Sequence, residues 1–223
     1  MATNAIIFDL DGTLAYTIDD IQTGVNNMLT RLGYKARTKA DVLKFINNGA
    51  KELIRRSLPK NVQDAELILD TAIETYEEEY AKCYCEKTCA YDGMVEVLKE
   101  LKKKRYKLGV ISNKQDKFVK TIIEKLFGKN LFTVVMGQDK LPTKPDPTST
   151  LLACKQMGVK PSSCIFVGDS DVDMKTAKNA GMKVIGVSWG YREVNILNMA
   201  GADYIAETPE EMKEIIEKVL PIK

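Results

Sequence analysis

The sequence contains no histidine among its 223 residues. This absence excludes Ser-His-Asp and Cys-His nucleophile systems, phosphohistidine chemistry and every metal site that needs an imidazole ligand. Any chemistry that the protein performs must therefore depend on carboxylates, lysine, hydroxyl groups or a hard metal ion.

Cysteine is scarce too, with five residues in all, and three of them lie in one short stretch: Cys83, Cys85 and Cys89. An odd number of cysteines gives no complete disulfide framework. With neither a histidine nor a fourth cysteine beside them, these three do not make up the usual tetrahedral zinc site. We interpret them as reduced, structural thiols.

Long hydrophobic runs and an excess of one charge are missing as well. No apolar stretch approaches the roughly 20 residues of a membrane-spanning helix, and the first residues lack the pattern of a secretion signal. The 33 basic and 31 acidic side chains nearly cancel, so no broad field of one sign attracts nucleic acid or an anionic membrane. We expect a cytoplasmic protein, a monomer or homodimer, that binds neither and holds any anionic ligand by local contacts.

What the chain does contain is an alternation of short β-branched apolar runs with helical patterns. Strands are predicted at AIIFDL, YKLGVIS, FTVVMG, SCIFVGD, KVIGVS and ADYIA, and helices at 94–105, 117–127, 147–157, 171–180 and 209–219. Strands that are apolar on both faces and alternate with helices are typical of a parallel sheet covered on both sides. We therefore predict an α/β protein with a Rossmann-like, three-layer α/β/α core.

One interval breaks this alternation, because about eighty residues separate the first strand from the second, too many for a normal crossover. Apolar residues spaced three or four apart predict a helix at 19–31, and similar patterns predict helices at 40–46, 50–57 and 64–82. We predict a helical cap domain at residues 16–89, inserted into a core formed by residues 1–15 and 90–223.

Polar residues follow the predicted strands at the points where ligands bind to an open parallel sheet. They are Asp9, Asp11, Ser112, Asn113 and Asp169, with Lys144, Asp171 and Asp173 at the starts of helices. Each segment alone has a simpler interpretation, since Asp-Gly is a common turn and Asp and Ser are common helix caps. Their occurrence together, at the ends of strands, predicts one shared site.

Two carboxylates at one strand end repel each other by about 4 kcal/mol at an effective dielectric constant near 20. A hard divalent cation reverses that repulsion. Mg²⁺ typically takes one or two carboxylates together with a substrate phosphate, which matches Asp9 and Asp169 as direct ligands. The sequence therefore predicts a magnesium site that a phosphorylated ligand completes.

The segments DLDGTL, SNK, KPDP and GDSDVD resemble the four motifs of the haloacid dehalogenase-like phosphatases, and the resemblance runs through the whole chain. The segments FINNGAKELIRRSL, YDGMVEVLKELKKKRYKLGVISNK and WGYR are similar to the phosphoglycolate phosphatase group. The chain departs from that group where INNG replaces a glycine-asparagine-glycine loop, and where Tyr16 and Asp146 replace an acidic residue and a histidine.

The resemblance implies that Asp9 is the nucleophile that attacks phosphorus and forms an aspartyl-phosphate. Asp11 would protonate the departing oxygen and later deprotonate water, while its backbone carbonyl binds Mg²⁺. Asp169 would bind the metal directly, and Asp173 would complete the metal set by orienting a metal-bound water or the lysine Lys144.

The substrate-binding residues are implied in the same way. Ser112 and Asn113 would donate hydrogen bonds to the phosphoryl oxygens, and Lys144 would neutralise charge between nucleophile and phosphate. The other members of the predicted substrate-binding set are Thr13, Asn48, Gly49 and Arg55. The helical insert would act as a lid, with the backbone amides of Asn48 and Gly49 facing an anionic group of the substrate; the alternative is that these two residues only begin a helix.

The function expected from the sequence is a Mg²⁺-dependent phosphatase of small phosphomonoesters, with phosphoglycolate as the first candidate. Pyrophosphate, nucleoside monophosphates and sugar phosphates are the other candidate substrates. A phosphate mutase of the β-phosphoglucomutase type stays open within the enzymes, and a catalytically silent protein that binds a phosphorylated ligand stays open outside them. Asp11 and Asp169 argue against a dehalogenase.

Overall fold

The computed structural model describes residues 4–63 and 65–222. Six strands form the main sheet: β1 (Ala5–Phe8), β4 (Lys107–Gln115), β5 (Val134–Gln138), β6 (Cys164–Gly168), β7 (Lys183–Val187) and β8 (Tyr204–Ala206). Their order is β5-β4-β1-β6-β7-β8, and all neighbouring pairs are parallel. The first strand thus lies at the centre of the sheet, between β4 and β6.

Helices cover both faces of this sheet. They are α5 (Met94–Lys103), α6 (Asp116–Phe127), α7 (Thr148–Met157), α8 (Asp171–Asn179), α9 (Val194–Met199) and α10 (Pro209–Val219). In β1, Ile6 and Phe8 pack into the cluster formed with α5, α6 and α10, whereas Ala5 and Ile7 pack into the cluster formed with α7, α8 and α9. This period-two alternation between two apolar layers confirms the predicted three-layer α/β/α core. The short helix α9 was not predicted.

The insert after β1 consists of α1 (Ile18–Arg31), α2 (Lys39–Phe45), α3 (Gly49–Ser57) and α4 (Glu66–Cys83), with a short 3₁₀ turn at Lys60–Val62. The predicted start of the last helix, residue 64, lies outside the described residues. These helices enclose an apolar cluster of their own, in which α1 packs along α4. A Cβ on Gly24 would come within 2.9 Å of the Tyr80 ring, so the close approach of the two helices requires glycine there. The division into two domains at residues 16 and 90 stays a prediction.

Two very short strands, β2 (Ala15–Tyr16) and β3 (Cys89–Ala90), pair antiparallel where the chain enters and leaves the insert. They were not predicted, because two residues show no periodicity. Beside them, the buried Asp20 carboxylate accepts hydrogen bonds from Lys87 N at 3.0 Å, Thr88 N at 2.8 Å and Thr88 Oγ1 at 2.7 Å. The two connections are therefore fastened to each other.

The five cysteines are free thiols in the described part of the chain, and Cys89 is exposed. No helix within the described ranges is both long and apolar enough to cross a bilayer.

Candidate active site

Three buried carboxylates meet at the carboxyl end of the sheet. Asp9 follows β1, Asp169 follows β6, and Asp173 lies in the first turn of α8; carboxylate oxygens of the three lie within 4.8 Å of one another. Because β1 and β6 are hydrogen-bonded neighbours, with Asp9 N donating to Val167 O at 3.0 Å, the first two residues must meet. The structure thus brings together Asp9, Asp169 and Asp173, three of the four predicted metal ligands.

The carboxylate of Asp169 is held on several sides. Thr13 Oγ1 donates to Oδ1 at 3.0 Å, and Tyr191 N donates to Oδ2 at 2.8 Å. A Cβ on Gly12 would lie 2.3 Å from Asp169 Oδ2, and one on Gly190 would lie 2.1 Å from Asp169 Cβ. Only glycine fits at these two positions. Thr13, predicted to bind substrate, is fully buried, and its hydroxyl is the donor to Asp169.

Lys144 lies between two of the three carboxylates. Its Nζ is 2.8 Å from Asp9 Oδ1 and 2.6 Å from Asp173 Oδ1, and the residue is only 4% exposed. Asp173 also accepts hydrogen bonds from Ser170 N at 3.1 Å and Ser170 Oγ at 2.6 Å, as the N3 residue of a capping box. Asp173 therefore both contacts Lys144 and helps to cap the N-terminus of α8.

The charges of this cluster are not balanced. The pKa of Asp9 is raised to about 7: burial raises it most, the charge of Lys144 lowers it, and the charges of Asp173 and Asp11 raise it. Burial also raises the pKa of Asp169 well above its usual range, with Asp173 and Asp9 adding to the effect. Burial alone would lower the pKa of Lys144, but the attraction of Asp173 and Asp9 outweighs it, and the pKa is raised. One ammonium faces three carboxylates, so an oxygen-bound divalent cation fits this donor set.

The side chain of Asn113 already has hydrogen-bond partners within the protein. Its Nδ2 donates to Lys144 O and to Asn47 O, both at 3.0 Å, while its Oδ1 accepts from Lys144 N at 2.7 Å. An amide nitrogen has two N–H donors, so none remains for a phosphoryl oxygen. This side chain instead ties the Lys144 loop to the helical insert.

The carboxylate of Asp11 lies apart from the acidic cluster. Both of its oxygens face Lys114, at 3.0 and 3.2 Å from Nζ. Lys114 Nζ also lies 4.8 Å from the centre of the Tyr80 ring. Lys114 belongs to the SNK segment, but no role was predicted for it. The signal that could have indicated a role is its position directly after two predicted phosphate-binding residues.

A cavity of about 60 Å³ lies between the end of the sheet and the helical insert. The core lines it with Asp9, Asp11, Ser112, Asn113, Lys114, Gln115, Phe118, Lys144 and Ser170, and the insert lines it with Ile21, Ile46, Asn47, Gly49, Ala50, Leu53, Tyr76 and Tyr80. Several of the predicted catalytic residues therefore line a cavity whose other wall, formed by the insert, is mostly apolar and aromatic.

Two predicted substrate-binding residues lie away from this cavity. Arg55 pairs with Glu52 at 3.2 Å and donates to Gln63 O at 3.4 Å. Asn48 Oδ1 accepts from Arg56 at 3.1 Å. Both side chains thus pair within the insert, whereas the role predicted for Asn48 used its backbone amide and stays a prediction. Gly49 does line the cavity.

The segment after β7 connects the acidic cluster to the insert. Tyr191 Oη accepts from Thr17 N at 2.7 Å and Ile18 N at 3.1 Å. Arg192 donates to Leu43 O at 2.6 Å and to Ile46 O at 3.2 Å, at the end of α2. Sequence analysis gave neither residue a role.

The chain is similar to known proteins along most of its length. Residues 6–187 match the model of the haloacid dehalogenase-like hydrolases. A phosphoglycolate phosphatase from Pseudomonas putida is 32% identical over 220 residues, which cover 97% of this chain and 78% of that protein. A phosphoglycolate phosphatase from Psychrobacter arcticus is 35% identical over 198 residues, which cover 86% of each chain.

Among solved structures, a predicted phosphoglycolate phosphatase from Haemophilus somnus superposes with a TM-score of 0.88 at 28% identity, over 96% of this chain and 97% of that one. The resemblance noted in the sequence motifs is thereby confirmed. The chain belongs to the haloacid dehalogenase-like hydrolase family.

Proposed function

We propose that the protein is a Mg²⁺-dependent phosphatase of small phosphomonoesters that works through an aspartyl-phosphate, with phosphoglycolate as the first candidate substrate. The observation that carries the proposal is the position of Asp9, whose carboxylate lines the cavity while contacting Lys144 and lying beside Asp169. The relatives named phosphoglycolate phosphatase support the substrate class.

Asp9 is the nucleophile in this proposal. One of its oxygens attacks phosphorus, the bond from phosphorus to the ester oxygen breaks, and an acyl phosphate forms on the side chain. Lys144, 2.8 Å away, offsets the negative charge of the approaching phosphate. Asp9 and Asp169 would hold Mg²⁺, which when bound supplies further positive charge for the phosphate oxygens.

Asp11 carries the proton in both half-reactions. Its carboxyl group gives a proton to the departing alkoxide, and the resulting carboxylate takes one from the water that attacks the acyl phosphate. Hydrolysis releases inorganic phosphate and restores both aspartates. Since Asp11 also lines the cavity, a short side-chain rotation away from Lys114 brings it to the leaving oxygen.

The helical insert keeps bulk water from the acyl phosphate. Ile46, Leu53, Tyr76 and Tyr80 cover the cavity with apolar and aromatic surface, which also strengthens the electrostatic interactions inside it. A cavity of about 60 Å³ favours a small leaving group.

The proposal is tested with purified protein, Mg²⁺ and a panel of phosphomonoesters at equal concentration, with free phosphate as the readout. We expect hydrolysis that EDTA abolishes, with phosphoglycolate among the best substrates by kcat/KM. An isomerised sugar phosphate without free phosphate would indicate a mutase, and preferential cleavage of pyrophosphate would indicate a pyrophosphatase. No turnover of any member would indicate a silent binding protein.

Asp9→Asn isolates the nucleophile. The substitution keeps the shape of the side chain but removes the attacking oxygen, and we expect turnover to fall by at least about 1,000-fold. Circular dichroism and thermal unfolding show whether the variant is still folded. Retention of activity by a folded Asp9→Asn protein would place the nucleophile elsewhere.

A further inference from the structure

We propose that Lys114 and Asn47 form a subsite for a second anionic group of the substrate, a carboxylate on the leaving group, and that its arrival frees Asp11 for proton transfer. The inference rests on the proposed function and adds to it the residues that would select the leaving group.

Lys114 is the cation available for such a group. The cavity lining contains two lysines among the described residues. Lys144 is committed to Asp9 and Asp173, which belong to the reacting centre. Lys114 has a side chain only 7% exposed and lines the cavity beside the Tyr80 ring.

Asn47 has a left-handed backbone conformation. Its φ is +85°, a region that asparagine enters more readily than most other residues with a Cβ. The hydrogen bond from Asn113 Nδ2 to Asn47 O fixes this backbone. The position of Asn47 on the cavity wall is therefore set by a contact with the core.

Two hydrogen-bond donors on residues of the cavity wall have no partner among the described residues. Asn47 Nδ2 is buried without a hydrogen-bond partner in the described part of the chain, and so is Tyr80 Oη. Both residues line the cavity. A buried donor left unpaired costs about 1–3 kcal/mol, and a carboxylate oxygen in the cavity would accept from it. Lys114, Asn47 and Tyr80 together supply one cation and neutral donors for a single anionic group.

This subsite is coupled to Asp11 through a shared partner. In the free protein the Asp11 carboxylate occupies Lys114. A substrate carboxylate that binds Lys114 displaces the Asp11 carboxylate, which is then free to turn toward the leaving oxygen. A substrate without that anion leaves Asp11 on Lys114. Recognition of the leaving group and release of the acid are thus one event.

The test uses two substrates that differ only in the anion, 2-phosphoglycolate and ethyl phosphate. In Lys114→Gln we expect kcat/KM for phosphoglycolate to fall by about 30-fold or more, because a charge-assisted contact is lost. Turnover of ethyl phosphate should stay within about threefold of wild type or rise, since Asp11 is no longer held. The matched control is Lys117→Gln, an exposed lysine paired with Glu77 outside the cavity, which should change neither value.

Asn47→Gly is the second variant, chosen because glycine accepts the same φ and the fold is retained. We expect a loss of about tenfold on phosphoglycolate and little change on ethyl phosphate. Equal losses on both substrates in Lys114→Gln and Asn47→Gly would overturn the subsite, because a merely structural role moves both.

A binding experiment separates this inference from the proposed function. Calorimetry on Asp9→Asn, with 2-phosphoglycolate or ethyl phosphate as the ligand, needs no turnover. We expect tighter binding of phosphoglycolate, and loss of that preference in Asp9→Asn combined with Lys114→Gln. If wild type hydrolyses neither ester but this preference is present, the proposed activity fails and the subsite stands. If the preference is absent or survives Lys114→Gln, the subsite fails whatever the activity.

Discussion

Tyr191 binds Asp169 Oδ2 through its backbone amide at 2.8 Å, while its phenol oxygen accepts a hydrogen bond from Thr17 N at 2.7 Å. A single residue therefore contacts a carboxylate of the acidic cluster and the start of the first helix of the insert. The attachment of the insert and the geometry of the cluster therefore depend on the same residue.

Tyr191→Phe tests this link. The change removes the acceptor for the amides of Thr17 and Ile18, and we expect a loss of about 1–3 kcal/mol in the free energy of unfolding, together with a lower kcat/KM. Urea unfolding and steady-state kinetics measure the two effects. Tyr204→Phe, a half-buried tyrosine in β8, is the control and should change stability by less than about 0.5 kcal/mol. A Tyr191→Phe protein equal to wild type in both measurements would contradict the link.

The acidic cluster predicts how Mg²⁺ stabilisation varies with pH. Burial raises the pKa of Asp9 to about 7 and that of Asp169 well above its usual range. Between about pH 4 and those folded-state pKa values, the two carboxyl groups are protonated in the folded metal-free protein but ionised in the unfolded chain. Their contribution to the free energy of unfolding is therefore lost as the pH rises through the folded-state pKa. A cation that binds the ionised carboxylates offsets this loss of stability at pH values where both are charged.

We therefore expect about 10 mM Mg²⁺ to raise Tm more near pH 8 than near pH 5.5. Thermal unfolding with Mg²⁺ or with EDTA at the two pH values measures the difference. Asp169→Asn is the matched control and should lose most of the Mg²⁺ effect. An equal rise in Tm at both pH values would count against cation binding by Asp9 and Asp169.

Arg192 reaches from the core to the end of α2, next to the cavity residue Asn47. Its replacement by alanine removes two hydrogen bonds across this contact, and we expect a loss of about tenfold in kcat/KM because the insert is less well positioned. Hydrogen exchange should accelerate at residues 39–57 and stay unchanged in the central strands. Arg31→Ala, which removes an exposed ion pair within the insert, should show neither effect. Unchanged exchange in Arg192→Ala would refute the contact's role.

Asp20 is a buried carboxylate that the proposed chemistry does not use. It accepts hydrogen bonds from Lys87 and Thr88 at the base of the insert. We expect Asp20→Asn to lower the free energy of unfolding by at least about 2 kcal/mol, because charge-assisted hydrogen bonds are lost. Urea unfolding measures this, with the exposed Asp70→Asn as a near-neutral control. A change below about 0.5 kcal/mol would mean that Asp20 does not fasten the two connections.

Sequence analysis predicted the strands of the main sheet and most of its helices, because apolar periodicity is a local property of the chain. It also placed Asp9 and Asp169 together, since residues after neighbouring parallel strands must meet at one edge. It did not predict β2 and β3, whose two residues each carry no pattern. Nor did it find the partner of Asp11, because many lysines in the chain could have reached that carboxylate.

The amino-acid sequence by itself determined that a parallel sheet ends in acidic residues and that a helical segment interrupts its first crossover. Strand and helix periodicity, and polar residues at strand ends, contain that information without reference to distant parts of the chain. Only the tertiary structure decided that the Asn113 side chain hydrogen-bonds to Asn47 and Lys144. The same is true of the position of Arg55 outside the cavity and of the ion pair between Lys114 and Asp11. These pairings depend on the directions of side chains that are distant in the sequence, and local periodicity carries no information about those directions.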